Sequence, residues 1–365
     1  MRRSLAAATW VAGVAALTAV LPAQPRTGPT ARVVSASRLT LPGRVDSNNP
    51  FVWIRDGGMP MLTVLSSWGG IPTLARGREL EWLRLDDAAV AVRDHPGHGV
   101  WFEAVVPDAA GRWYGFYHHE RPADDCGRPD RQLPRLGAAR SIDEGRTWQN
   151  LGIVLDAPPG SAACTSANRF VLGGVGDVAA MLDAAGQDLY LYFSQYRRAR
   201  SQQGVAVARL AWADRDAPAG RLTVWNDGAW LPATAVAADD AADDRWAYPA
   251  GTPLVAPGQP FHDATAAADV FWGPSIHWNT YLRQYVMLLN RAKDDEFGQD
   301  GIYVSYASRL NDPAAWSRPV KILNGGGWYP QVAGLERGAG TDRLAGRRAR
   351  LFLTGASAHM IEFER

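Results

Sequence analysis

The octet Ser141-Ile142-Asp143-Glu144-Gly145-Arg146-Thr147-Trp148 has the form S-x-D-x-G-x-T-W. At this spacing the Asp143 carboxylate can accept backbone N–H groups across a tight turn, and Gly145 supplies a backbone angle that other residues resist. Thr147 and Trp148 then open the outgoing strand, with the indole packed beneath the turn. The octet reads as a β-hairpin staple in which Ser141, Asp143, Gly145 and Trp148 have structural roles. It speaks to fold and is silent on chemistry.

Outward from this turn, short apolar and aromatic runs recur, each closed by Gly, Asp or Pro, and no long helical period interrupts them. They group into five units: Asp46 to Leu85, Val100 to Leu155, Gly173 to Trp230, Phe271 to Trp316, and Trp328 to Thr354 with the tail Met360 to Phe363. Residues 32–41 can supply an outer strand that locks the last unit to the first, and Ala235 to Asp244 reads as a solvated insertion. Four-stranded units repeated around an axis define a propeller. The expected fold is therefore all-β, a five-bladed β-propeller of four-stranded antiparallel blades; a two-sheet sandwich would space its strands similarly. The 15 Trp, 37 Gly and 24 Pro residues suit such an architecture.

Arg2 and Arg3 ahead of the apolar run Leu5 to Val20 read as an export signal with cleavage after Ala23, an uncleaved anchor being the alternative. Residues 1–23 are assigned to the signal and 24–365 to a single propeller domain. With 38 basic and 37 acidic residues the chain is near neutral, which favours neither nucleic acid nor an anionic membrane as partner. The expected product is a secreted or periplasmic monomer that does not engage the membrane after cleavage. In that compartment Cys126 and Cys164 can form one disulfide; two buried free thiols are the other possibility.

In a propeller the innermost strand of each blade lines the central channel. Asp46, Glu103, Asp177, His277 and Gln331 fall at such positions, one per unit. Three carboxylates converging on one pocket repel one another unless the repulsion is used to shift proton affinity. Trp53, Trp272, Trp278, Trp328 and Tyr329 lie at or near the same rim and can stack on a sugar face, with His277 and Gln331 as polar contacts. The run Tyr117-His118-His119-Glu120 invites a metal reading, but adjacent histidines on a strand point to opposite faces, and no zinc site is expected. No cofactor is required, although a calcium ion in the channel is compatible with the residues.

With these residues in place, the chain resembles the five-bladed β-propeller glycosidases of the arabinanase, xylosidase and invertase type. The resemblance covers roughly residues 40 to 365 and rests on Asp46 ahead of Asn49-Pro50, on the later inner-strand acids, and on Asp312-Pro313 followed by Trp316. It implies hydrolysis of a poly- or oligosaccharide. Asp46 would be the base or nucleophile, Glu103 the general acid and Asp177 the modulator, the last two roles being exchangeable. The octet at 141–148 is similar to the Asp-box of sialidases, which suggests a second enzymatic reading, an exoglycosidase of that type. Sialidases have six blades, usually several boxes and an arginine trio; one full box is visible here. A carbohydrate-binding propeller without catalysis is the competing class.

Overall fold

The computed structural model describes residues 28–236, 245–263 and 268–365. The export signal, residues 1–23, and residues 237–244 of the insertion lie outside the described residues. The chain forms a five-bladed propeller of small, mainly antiparallel sheets, with no α-helix among the described residues and only short 3₁₀ turns.

The blades begin with the channel strands Phe51–Asp56, Gly99–Pro107, Val175–Leu182, Val270–Asn279 and Gln331–Gly334. Each is followed outward by hairpin-connected neighbours. The strand Thr30–Thr40 pairs with Ala356–Glu364 at the outer edge of the last blade, so the first strand of the chain closes the ring. Three sheets exceed the expected four strands. Ala91–Arg93 adds in parallel to the outside of the second blade, Ala229–Pro232 extends the third, and Leu344–Ala345 pairs in parallel beside the channel strand of the fourth. Each added strand covers an edge that would otherwise be open to another chain. The Asp312-Pro313 motif is a capped 3₁₀ turn in which the Asp312 side chain accepts the Ala314 N–H.

The octet at 141–148 forms the turn that its spacing predicts. The Asp143 carboxylate accepts the Thr147 N–H and hydroxyl at 2.9 and 2.6 Å, and Ser141 Oγ accepts the Gly145 N–H at 2.9 Å. The Trp148 indole is fully buried and donates to the Gly145 carbonyl.

Apolar side chains fill the space between blades. Val52, Leu65, Phe102 and Trp148 pack between the first and second blades; Phe116, Val178 and Leu191 between the second and third; Phe51, Val64 and Phe352 between the last and the first. Next to the channel, each interface also carries a hydrogen bond. Ser67 Oγ accepts the Phe102 N–H, Glu103 Oε2 the Val178 N–H, and Ser194 Oγ the Gly273 N–H. Ser275 Oγ donates to the Pro330 carbonyl, and Gln331 closes the circle by pairing with both the N–H and C=O of Asn49 at 2.5 and 2.7 Å.

Replacing Gln331 by Ala leaves two buried backbone groups of Asn49 unpaired at the closing interface. The predicted loss is about 2–4 kcal/mol in denaturant unfolding. A loss below about 0.5 kcal/mol would contradict the role assigned to this contact.

Candidate active site

The channel strands place their acids by a shared irregularity. The pairing register slips between Phe102 and Ala104 in the second blade, between Gly176 and Val178 in the third, and between Trp272 and Ser275 in the fourth. A bulge of this kind leaves its extra residue unpaired and re-aims the side chain. In the second and third blades that residue is Glu103 and Asp177. Asp177 holds a positive φ of 43°, a conformation few non-glycine residues adopt. Its neighbour must be glycine, because a Cβ at Gly176 would sit 2.6 Å from the His118 ring.

These residues meet at one end of the channel in a cleft of about 220 Å³ lined by Asp46, Glu103, His118, Glu120, Asp177 and Tyr196 and walled by aromatic rings. Trp101, Phe170, Trp272, Phe297, Trp328 and Tyr329 form that wall. Among the described residues lining it, none is Arg or Lys.

The three candidate acids differ in environment. Asp46 is half-buried and accepts the Trp101 indole N–H at 2.7 Å and the Gly69 N–H at 3.1 Å. Burial raises its pKa, and the two donors oppose the rise by favouring the carboxylate. Glu103 is only 4% exposed. Burial, then the charge of Asp177, drive its pKa well above the usual carboxylate range, against the pull of His118 and the Val178 N–H. Asp177 is raised too, chiefly by burial, but His118 and the Tyr196 hydroxyl, which donates to it, restrain the shift. All three proton affinities are raised by burial, that of Glu103 furthest, while Asp46 and Asp177 each have hydrogen-bond donors that restrain the rise.

His118 sits among them. Its Nε2 lies 3.4 Å from Glu120 and its Nδ1 3.7 Å from Asp177, and the Asp177 N–H donates to Nδ1 at 3.1 Å. Burial alone would depress its pKa; Glu120, Asp177 and Glu103 outweigh that and raise it to about 9. The N–H on Nδ1 works the other way, since a protonated Nδ1 has no lone pair to accept it. In either state Nε2 carries a proton, with Glu120 the nearest carboxylate at 3.4 Å.

One ligand atom each from Glu103, His118 and Asp177 lie within 4.8 Å of one another, close enough to raise the question of a cation. Nδ1 of His118, Oε2 of Glu103 and Oδ2 of Asp177 already accept protons from protein groups, so a cation would be faced by the remaining carboxylate oxygens.

Of the residues expected at the rim, Trp272, Trp328 and Tyr329 line the cleft together with the three acids, while Trp53, His277, Trp278 and Gln331 do not. Strand geometry explains the second group. His277 and Trp278 follow Trp272 on one strand by five and six residues, about 17–20 Å at 3.3 Å per residue, and so reach the far end of the channel. There His277 is buried against Phe363, and Trp278 packs on Tyr285. Burial pushes the His277 imidazole well below its usual pKa, and its buried Nε2 has no hydrogen-bond partner among the described residues. Trp53, third in its strand, donates to the Gly340 carbonyl, whereas Gln331 is engaged by Asn49.

His118, Glu120, Tyr196, Phe170 and Phe297 escaped the reading of the sequence. For two of them the signal was present: the alternation that sends His118 and His119 to opposite faces puts His118 and Glu120 on the same one. His119 indeed faces away, bonded to the Gly97 carbonyl and to Arg135. Cys126 and Cys164 are joined in a disulfide that ties the 156–174 connection to the second blade.

No protein-family model matches this sequence, and no curated protein matches it. Among solved structures the fold is similar to that of an endo-arabinase from Bacteroides thetaiotaomicron VPI-5482, with a TM-score of 0.51 at 13% identity over 89% of this chain and 97% of that one. An endo-1,5-α-L-arabinanase from Thermotoga petrophila RKU-1 gives a TM-score of 0.48 at 13% identity, over 89% and 72% of the two chains. At such identities the likeness is one of fold.

The burial of His277 carries a prediction for stability. Unfolded, its imidazole titrates near the ordinary value of 6.5; folded, it is held down to about 3. Between these values the unfolded state binds a proton that the folded state refuses, so acidification removes stability. Changing His277 to Gln is predicted to shrink the stability lost from about pH 7 to about pH 5 by about 2 kcal/mol. Denaturant unfolding at the two pH values measures it, and an undiminished loss would contradict the burial of a neutral ring.

Proposed function

We propose that this chain is an exported, monomeric glycoside hydrolase that acts on neutral sugars in the cleft at the end of the propeller channel. The observation that carries the reading is the convergence of three acids on one aromatic-walled cleft: a fully buried Glu103 whose proton affinity rises furthest, Asp177 beside it, and a half-buried Asp46 held by two hydrogen-bond donors. A propeller that only binds glycan would be expected to neutralise such acids with arginine; their recorded partners here are His118, Tyr196, Trp101 and backbone N–H groups. The cleft's lack of a basic lining residue disfavours a sialate or uronate and hence the sialidase reading. The disulfide supports an oxidising compartment.

In this reading a sugar ring lies against the aromatic wall. Glu103 donates its proton to the leaving glycosidic oxygen as the C–O bond breaks. Asp46 either takes a proton from the attacking water or bonds to the anomeric carbon and is released by water in a second step. Asp177 serves by its charge: held close to Glu103, it raises the acid's proton affinity and so keeps it protonated at neutral pH. Arabinosides come first among substrates to test, because both fold neighbours described above carry arabinan-degrading names, followed by xylosides, fructosides and galactosides.

Hydrolysis of such a panel by the purified protein is the expected result, with Glu103→Gln and Asp46→Asn each slowing turnover by about 10²-fold or more. Asp177→Asn should also move the alkaline limb of the pH–rate profile to lower pH, since losing a neighbouring negative charge lowers the affinity of Glu103 for its proton. Glycan binding without turnover on any substrate would instead identify a carbohydrate-binding propeller.

A further inference from the structure

The connection from Asp156 to Gly174, between the second and third blades, is long for a compact domain, and loops of this length usually carry a function. It is held at both ends and in the middle. The Cys126–Cys164 disulfide and the mutual backbone bonds of Gln132 with Phe170 and Leu172 fix it to the second blade. Ser166 Oγ bonds His262 Nδ1 at 2.9 Å, and His262 Nε2 bonds the Tyr196 carbonyl on the third. Beyond that, the loop reaches the fourth blade: Asn168 donates to the Asp295 carbonyl at 2.5 Å, and Arg169 pairs with Glu296 at 2.9 Å. Phe170 completes the span, its ring 5.9 Å from Phe297 and 5.8 Å from Trp328, centroid to centroid, in edge contacts. Phe170, Phe297 and Trp328 all line the cleft.

A single stapled segment thus bridges three of the five blades and puts Phe170 into the lining of the cleft that holds the three acids. A polysaccharide cut in mid-chain needs a path that continues past the scissile bond on both sides. The cleft is small, about 220 Å³, and the Phe170, Phe297 and Trp328 rings close part of its border. We infer that the 156–174 segment is a wall that restricts the enzyme to chain ends, so that it removes one sugar at a time from an oligo- or polysaccharide. The inference rests on the glycosidase reading and adds its mode of attack. It also gives the disulfide a role: by fixing the loop it keeps the wall in place against the thrust of a longer chain.

The test uses the full protein with two probes, linear arabino- and xylo-oligosaccharides labelled at the reducing end, and the same polysaccharides cross-linked with dye. Release of monosaccharide from the unlabelled end, with no dye freed, is the expected outcome. Phe170→Ala, which opens the wall at a half-buried position, should raise the ratio of disaccharide to monosaccharide released by about fivefold. The double change Cys126→Ser with Cys164→Ser, which frees the loop at its other end, should move the ratio in the same direction. Early labelled fragments of mixed length, or dye release by the unaltered protein, would overturn the wall and leave the glycosidase standing. Wild-type product ratios retained in both variants would also overturn it. No hydrolysis of any probe, with binding or without, would overturn the glycosidase reading and the wall with it.

Discussion

Confining a carboxyl group between two blades is the constraint from which the chemistry of this propeller follows. At four of the five interfaces the channel-side hydrogen bond is made by neutral side chains, Ser67, Ser194, Ser275 and Gln331. At the fifth it is made by Glu103, whose Oε2 accepts the Val178 N–H. The position demands burial because it belongs to the packing of the blades. Burial of an ionised carboxylate with no cationic side chain bonded to it is costly, and the group responds by holding its proton. The same contact that joins the second and third blades therefore raises the proton affinity of this carboxyl group.

The surrounding groups sharpen this effect. Asp177 is forced close by a bulge and a strained backbone angle, and it raises the proton affinity of Glu103. Tyr196 and His118 in turn restrain the rise in proton affinity that burial causes in Asp177. Asp46 stands on the first blade, half-buried, where two hydrogen-bond donors restrain the rise in proton affinity that burial causes.

Much of the fold was legible because it is written in local signals. The turn at 141–148, the five channel strands and the ring-closing strand near residue 32 are all set by turn residues and alternation, which act within a few positions. Glu103 was legible because a carboxylate within an apolar strand needs a partner, Asp177 because glycines crowd the positions before it, and Asp46 because it stands ahead of Asn49-Pro50 at the start of the first blade. What failed was depth along the strand. His277 and Trp278 share a strand with Trp272, and a rise of about 3.3 Å per residue was enough to exclude them from the rim. Tyr196, Phe170 and Phe297 were not legible at all. They reach the cleft from a second strand and from two loops, through contacts such as Phe170 to Trp328 that span distant parts of the chain. The bulges that aim Glu103 and Asp177 were equally hidden, since they are defined by pairing between strands and leave no mark in either one alone.

The central claim is that Glu103 is a neutral acid at neutral pH because of where it is buried and what lies beside it. Infrared difference spectroscopy of the carboxylic C=O stretch, followed through a pH titration of the wild-type protein and of Glu103→Gln, reads this directly. The account predicts a protonated carboxyl band that persists at neutral pH, vanishes in Glu103→Gln, and titrates at lower pH in Asp177→Asn. A Glu103 that is fully ionised at neutral pH in the folded protein would contradict it.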